Sequence, residues 1–373
     1  VKRTVEKGKA LLVDGPASLT LLKGNSKILG APLKVGEKLI IREGKRVPLE
    51  VERKAVFELT LGKDGSVEET DGSTTPVSWG TASEEALSHG TPVTVAVLGR
   101  VDSGKTSFCV YLANKALKKG WKVTIIDADL GQSDIGPPAT IGFSHVTTPL
   151  RDLFELEAEN AYFVGTTSPS GAVDQVLDGL KTVKEWILKT EIDFLIVNTD
   201  GWIDDEDAAE YKIKTVETLA PDITVGIQQE KELASILDAL KETKVLSVES
   251  PKAIRKRSRE RRKTLRELSY KKYLKEAKTQ TFPLNWTEVT DALGKKINLE
   301  KEGLEEGLLV TLQDESEKFL GIGVLSGIDY KRHMLKVYTP VSEKVSTIRV
   351  GEVRIDKKGR ELGLNSGFTD YPL

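Results

Sequence analysis

The sequence predicts an α/β protein whose core is a mostly parallel sheet, flanked by an N-terminal all-β domain and a C-terminal β-rich domain. Three observations predict it. From Val93 onward, near-continuous apolar runs ("VTVAVLG", "KVTIIDAD", "AYFVG", "DFLIVNTD", "DITVGIQ", "KVLSVES") alternate with stretches of helical periodicity. Apolar strands between helices belong to a parallel sheet covered on both faces. Before Gly80, and again after Phe282, the chain instead runs as short alternating segments cut by Gly, Asn and Asp, the pattern of antiparallel strands and tight turns. Finally, "VAVLGRVDSGKTSFCVYLANKAL", Val95 to Leu117, joins an apolar strand to an amphipathic helix through a loop that fits GxxxxGK[ST] in full, which makes the core one of P-loop NTPase type.

Taken in order, residues 1–80 carry "ALLVDG", "LTLLKGNSKILG", "KLIIREGKRVPLEV" and "VFELTLGKDG" and form the N-terminal β domain. Residues 81–92 are the end of a polar, Gly/Ser/Thr-rich stretch and read as a linker, with at most a short helical turn at "SEEALSH". The P-loop core is expected over 93–280. Its clearest helix is "AVDQVLDGLKTVKEWIL", where Val173, Val176, Leu177, Leu180, Val183 and Ile187 share one face. A basic helix over 252–275 closes the core. Residues 281–373, with "GLLVTLQD", "FLGIGVLSGIDY", "MLKVYTPV" and "STIRVGEVRI", form the C-terminal β-rich domain.

Composition narrows the function. The 373 residues carry a formal net charge of −2, so no global basic field advertises nucleic acid and any polyanion site is a local patch. A single cysteine, Cys109, excludes a disulfide framework and a Cys-based zinc site, and fits a reducing, cytoplasmic setting. His89, His145 and His333 lack metal-ligand spacing. No apolar run has the length of a membrane span and no signal peptide is visible, so no membrane partner is expected.

The loop Gly99-Arg100-Val101-Asp102-Ser103-Gly104-Lys105-Thr106, with Ser107 opening the helix, is built for a nucleotide phosphate. Gly99, Val101, Asp102, Ser103 and Gly104 would offer backbone N–H groups at a helix N-terminus whose dipole favours anions. Lys105 would reach the β- and γ-phosphates and the Thr106 hydroxyl would ligate Mg²⁺. No NKxD-type guanine motif follows, which favours ATP. "VTIIDADLGQSDIGPP" puts Asp127 and Asp129 just past the end of a buried strand, where an open α/β sheet binds its ligand. Carboxylates there can hold Mg²⁺ or accept a proton from an acceptor hydroxyl.

"GRVDSGKTS", "DADLGQSDIGPP", "YFVGTTSPSG", "VNTDGWI" and an Arg-rich helix, in that order, resemble the polynucleotide 5′-hydroxyl kinase family, the RNA kinases of pre-mRNA cleavage, tRNA splicing and ribosomal RNA processing, and among them the archaeal members. The resemblance covers essentially the whole chain. It implies transfer of the ATP γ-phosphate to 5′-OH ends of RNA, with DNA as a further candidate, and makes Lys105, Asp127, Asp129, Arg257 and Arg262 the catalytic residues, with Arg261 as the alternative register in the lid. Mg²⁺ would involve Thr106, Asp127 and Asp129. Substrate contacts are implied at Gln132, at Thr166, Thr167 and Ser168 of the clasp segment, and at Trp202, an aromatic suited to stacking on a terminal base. Family clasps often carry Asn where this one offers hydroxyl residues. Two other classes remain open from sequence: a P-loop ATPase that switches partner binding, against which Arg100 and Val101 stand where a second loop lysine would be, and an ATP-binding scaffold of an RNA-processing complex.

Overall fold

A computed structural model describes residues 1–299 and 303–364; of the expected C-terminal domain, 300–302 and 365–373 lie outside the described residues. The chain forms two compact units: Val1–Ile126, His145–Leu156 and Ile187–Leu265 make the first, and Asp127–Ser144, Glu157–Trp186 and Arg266–Leu373 the second.

The first unit opens with an antiparallel sheet of β1 (Lys2–Val5), β2 (Lys9–Asp14), β3 (Ala17–Ile28), β4 (Ala31–Leu33), β5 (Lys38–Ile41), β6 (Arg46–Leu61) and β7 (Ser66–Asp71). Its path is β4-β3-β6-β2-β7, with β1 on β6 and β5 on β3. Alternation decides which residues go inside: Leu19 and Leu21 of β3, and Ala55, Phe57 and Leu59 of β6, are buried while their neighbours face outward.

Helix α1 (Val77–Ser88) follows, where composition suggests only a turn. Trp79, Ala82, Ser83, Ala86 and Leu87 are buried, a helical stripe hidden among Gly, Ser and Thr. Trp79 donates its indole N–H to the Glu249 carbonyl at 2.9 Å and meets the Phe108 ring edge-on. That packing stabilises a helix whose intrinsic propensity is poor.

The parallel strands of this unit are β8 (Val93–Gly99), β9 (Val123–Ala128), β12 (Phe194–Thr199), β13 (Ile223–Gln228) and β14 (Lys244–Glu249), in the order β9-β12-β8-β13-β14. Between them run α2 (Lys105–Lys118), α4 (Glu206–Leu219) and α5 (Ala234–Ala239). Because β8 and β12 pair in parallel, Phe194 opposite Val93, the loops after Gly99 and after Thr199 leave the sheet at the same edge.

In the second unit β10 (Thr140–Val146) and β11 (Asn160–Phe163) form an antiparallel pair, followed by α3 (Val173–Ile187). Helix α6 (Arg259–Tyr273) leads from the first unit into the second. It starts seven residues later than the expected 252: Pro251 to Ile254 close a turn, the Ile254 N–H donating to the Pro251 carbonyl at 3.2 Å, and Ser258 Oγ accepts the Arg261 N–H at 3.3 Å where the helix begins. Last come β15 (Lys278–Pro283), β16 (Glu288–Asp291), β17 (Leu308–Gln313), β18 (Phe319–Asp329), β19 (Met334–Thr339), β20 (Thr347–Ile355) and β21 (Glu361–Leu364), ordered β15-β19-β18-β17-β20-β16 with β21 on β20. One face of that sheet (Leu309, Ile322, Val324, Val353) packs with Ala139, Ala161 and Phe163 and with Tyr270 and Leu274 of α6. Among the described residues no helix is long and apolar enough to cross a membrane.

Candidate active site

The phosphate loop leaves β8 at Gly99 and enters α2 through Gly104, which sits at φ +103°, a conformation a side chain would resist. No side chain caps α2, so its first N–H groups stay directed into the loop. Lys105 is buried, 6% exposed, and its ammonium donates to the carbonyls of Gly99 and Arg100, both at 2.9 Å. Thr106 Oγ1 accepts from Asn198 Nδ2 at 3.5 Å, and Asn198 Oδ1 in turn faces the Sγ of the buried Cys109 at 3.8 Å. Asn198, on β12, is a residue the sequence did not single out; only its place two residues before Asp200 could have pointed to it.

The Arg-rich segment expected to form a lid meets this loop at Asp102. Its Oδ2 accepts the Arg257 backbone N–H at 2.9 Å and the Arg262 guanidinium at 3.3 Å, and Arg257 Nη1 lies 3.5 Å from Oδ1. Ser250 Oγ adds a bond to the Ser103 carbonyl at 2.8 Å. The structure therefore brings together Gly99–Ser107, Arg257 and Arg262, and gives the side chain of Asp102 a task that motif reading had assigned only to its backbone.

Trp202 joins the same group. Gly201 abuts the phosphate loop so closely that a Cβ there would lie 2.5 Å from Val101 Cγ2 and 2.6 Å from Val101 N. Arg100 pairs with Asp204 at 2.7 Å. Asp200, 4% exposed, accepts from Lys212 Nζ, Tyr211 Oη and the Trp202 N–H. Burial pushes its carboxyl upward, but Lys212 and the hydrogen bonds together hold it below the ordinary value. Its oxygens are committed to Tyr211 and Lys212 of α4 and to the backbone of its own loop.

In the second unit, Asp127 is fully buried and organises the segment behind it: Oδ2 accepts from the N–H groups of Asp134 (2.7 Å) and Ile135 (3.2 Å) and from Ser133 Oγ (3.3 Å). Asp129 is half-buried, and its Oδ1 accepts the Gln132 N–H at 3.0 Å. A Cβ on Gly131 would meet the Thr167 carbonyl at 2.9 Å, so Asp129, Gly131 and Gln132 lie against the turn of Thr166, Thr167 and Ser168. Ser168 Oγ bonds Ser170 Oγ at 2.9 Å. Arg266 of α6, bound by Glu361, is electrostatically coupled to Asp129. It too was missed, although it follows Arg262 by four residues and so shares its helix face.

Among the described residues no cluster of His, Cys, Asp and Glu could by itself hold a metal ion. A hydroxyl at the start of α2 beside phosphate oxygens is the sparse donor set of Mg²⁺, which keeps waters and shares its ligands with a nucleotide, rather than of zinc.

Residues 99–276 match the family model of the P-loop of mRNA cleavage and polyadenylation factor CLP1. A polyribonucleotide 5′-hydroxyl-kinase of Methanocaldococcus jannaschii is 30% identical over 326 residues, covering 73% of this chain and 90% of its own. One from Pyrococcus furiosus is 30% identical over 333 residues, covering 76% and 93%. A CLP1 homolog of Brugia malayi is 25% identical and covers 91% of this chain and 84% of its own. Clp1p in its solved complex with Pcf11p has the same fold, with a TM-score of 0.73 over 95% of this chain and 97% of that one at 14% identity.

Proposed function

This chain belongs to the family of the polyribonucleotide 5′-hydroxyl-kinases, and we propose that it transfers the γ-phosphate of ATP to the 5′-hydroxyl end of RNA, with DNA ends as a second acceptor. The observation that carries the reading is the convergence of Lys105, Arg257 and Arg262 on one phosphate loop. A nucleotide-binding scaffold has no need of lid cations gathered over the loop; a phosphoryl transfer does, because negative charge must be matched on the moving group.

In this reading the β- and γ-phosphates lie against the N–H groups of Gly99–Ser107. Their oxygens draw the Lys105 ammonium from the carbonyls it now holds. Thr106, oriented by Asn198, would hold Mg²⁺ together with those phosphates, and the ion would supply charge neutralisation. The acceptor 5′ oxygen attacks the γ-phosphorus in line, the bond to the β-phosphate oxygen breaks, and the acceptor proton passes to the Asp129 carboxylate. Asp127 keeps Asp129 and its turn in place, a role its bonds to Asp134 and Ile135 support better than direct metal binding. Arg257 and Arg262 exchange part of their grip on Asp102 for the γ-phosphoryl oxygens. Trp202 stacks on the terminal base, and Gln132 with Thr166, Thr167 and Ser168 holds the sugar-phosphate end. Catalysis is then mostly positioning and electrostatics.

The test uses γ-labelled ATP and Mg²⁺ with 5′-OH oligoribonucleotide and oligodeoxyribonucleotide, beside Lys105→Ala and Asp129→Ala. Label on the oligonucleotide end with the unaltered protein only is the expected result. Inorganic phosphate released at the same rate with and without oligonucleotide, and no labelled end, would replace this reading with a switch ATPase. ATP binding with neither product would leave a scaffold.

A further inference from the structure

We propose that Asp205 and Tyr211 are positioning residues for the RNA acceptor: they hold the Trp202 indole as a preformed platform for the 5′-terminal base. The proposal rests on the reading above, in which Trp202 receives that base.

Trp202 lies on a loop, half-exposed, three residues beyond the end of β12. An indole in that setting would ordinarily sample several rotamers, and ordering it on binding would weaken the complex. Here it is fixed at separate points. Its Nε1 donates to Asp205 Oδ2 at 2.9 Å. The other oxygen of the same carboxylate, Oδ1, accepts the Ala208 N–H at 2.7 Å and caps α4. The indole is thereby tied to the start of a helix. The Tyr211 ring, in the second turn of α4, stacks on the Trp202 ring with centroids 5.5 Å apart and planes 29° apart. Tyr211 is itself immobilised: its hydroxyl donates to Asp200 Oδ2 at 2.7 Å. Asp200 Oδ1 accepts the Trp202 backbone N–H at 2.9 Å, and the fully buried Lys212 pairs with Asp200 at 2.7 Å. Backbone, ring face and ring nitrogen of one tryptophan are each secured by a different contact. A tryptophan serving only as core filling needs none of the three held at a half-exposed position. A base stacking on the opposite ring face would extend an aromatic pile already built, with no preference for base identity.

Sequence spacing supports the same grouping. Asp205 is both cap and indole acceptor only because it follows Trp202 by three residues, and Tyr211 reaches back because it lies six residues beyond Asp205 on the helix it caps.

Asp205→Ser and Tyr211→Leu separate the parts. Serine retains the cap but has no second oxygen for the indole; leucine keeps apolar bulk and removes the ring. KM for oligoribonucleotide, KM for ATP and kcat would be measured for each, on a normal 5′-OH substrate and on one whose 5′-terminal residue is abasic. Both variants are expected to raise KM for the normal oligonucleotide about tenfold and leave KM for ATP unchanged, and to match the unaltered protein on the abasic substrate, where there is no base to stack. An unchanged oligonucleotide KM in Asp205→Ser overturns the proposal, as does a loss that persists undiminished on the abasic end. Should Tyr211→Leu fail to fold, Asp205→Ser decides alone. Absence of transfer by the unaltered protein on either substrate overturns the kinase reading and this proposal with it, whereas an active parent with unaltered variants overturns this proposal only.

Discussion

Gly201→Ala tests whether the phosphate loop and the loop after β12 work as one packed unit. Alanine is compatible with the local backbone, since Gly201 is not in the left-handed region. Space is the obstacle. The added Cβ would lie 2.5 Å from Val101 Cγ2, 2.6 Å from Val101 N and 2.7 Å from Val101 Cα. Two of those atoms are backbone, so no rotamer change relieves the clash. Ordinary contact is restored only when the loops part by about 0.8 Å, and overpacking of this size costs about 1–3 kcal/mol. A displacement approaching 1 Å in groups that align a reacting phosphate can lower turnover about 100-fold. The expected outcome is therefore a modest drop in melting temperature and a large drop in kcat. Val101→Ala should rescue it only in part, because the N and Cα remain. The assay is transfer of labelled γ-phosphate at saturating ATP and RNA, beside thermal unfolding of the same preparations. Gly201→Ala with unimpaired kcat would refute the reasoning, and full rescue by Val101→Ala would show that only the side-chain contact mattered.

Lys105→Met should lower single-turnover transfer about 10²–10³-fold with the far-UV circular dichroism unchanged, as expected for loss of a charged donor to the phosphates; a fall below tenfold would contradict its assigned role. Asp102→Asn removes the charge that both lid arginines share, a loss of about 1.5–3 kcal/mol at most for hydrogen bonds to a charged group, less here because the arginines are partly exposed. Limited trypsin digestion in the 255–262 segment should accelerate, and equal cleavage rates would argue against the contact. Lys212→Met leaves the Asp200 charge buried without its partner and should cost about 3–5 kcal/mol, read from the denaturant midpoint. Asp200 also predicts acid behaviour: its folded pKa lies below the ordinary 3.8, so as pH falls the unfolded chain takes up the proton first. Its stabilisation is complete above about pH 4 and is lost as pH falls through the folded value. A denaturant-midpoint series from pH 7 to pH 3 should show a shallower acid decline in Asp200→Asn, and parallel curves would contradict it.

Local chemistry was legible in the sequence and long-range pairing was not. "GRVDSGKTS" encodes its own conformation, because strand, turn and helix start lie within a dozen residues. The apolar strands from Val93 onward were legible for the same reason. Helix α1 was obscured by composition, since Gly80, Thr81 and Ser83 mask the stripe of Trp79, Ala82, Ala86 and Leu87 that packing rewards. Strand β10 was missed because Gly142, Ser144 and His145 break the apolar run of "TIGFSHV", although the strand is nearly all buried. The bonds from Asp102 to Arg257 and Arg262 span 155 and 160 residues, and nothing in either segment names the other. Asn198, Asp205 and Tyr211 were invisible for a related reason: each is an ordinary residue type whose task is set by the neighbour that folding brings to it.

The single thiol has a consequence for measurement. Cys109 sits within α2, four residues past Lys105, with its sulfur against Asn198 and no solvent exposure. A disulfide reagent can reach it only when that helix lifts from the sheet, so the modification rate reports how often the nucleotide-binding helix opens. The native chain thus carries a one-atom clock for its own breathing. Its slowing by ATP, ADP or RNA would separate ligands that rigidify this helix from those that merely bind nearby, with no engineered label.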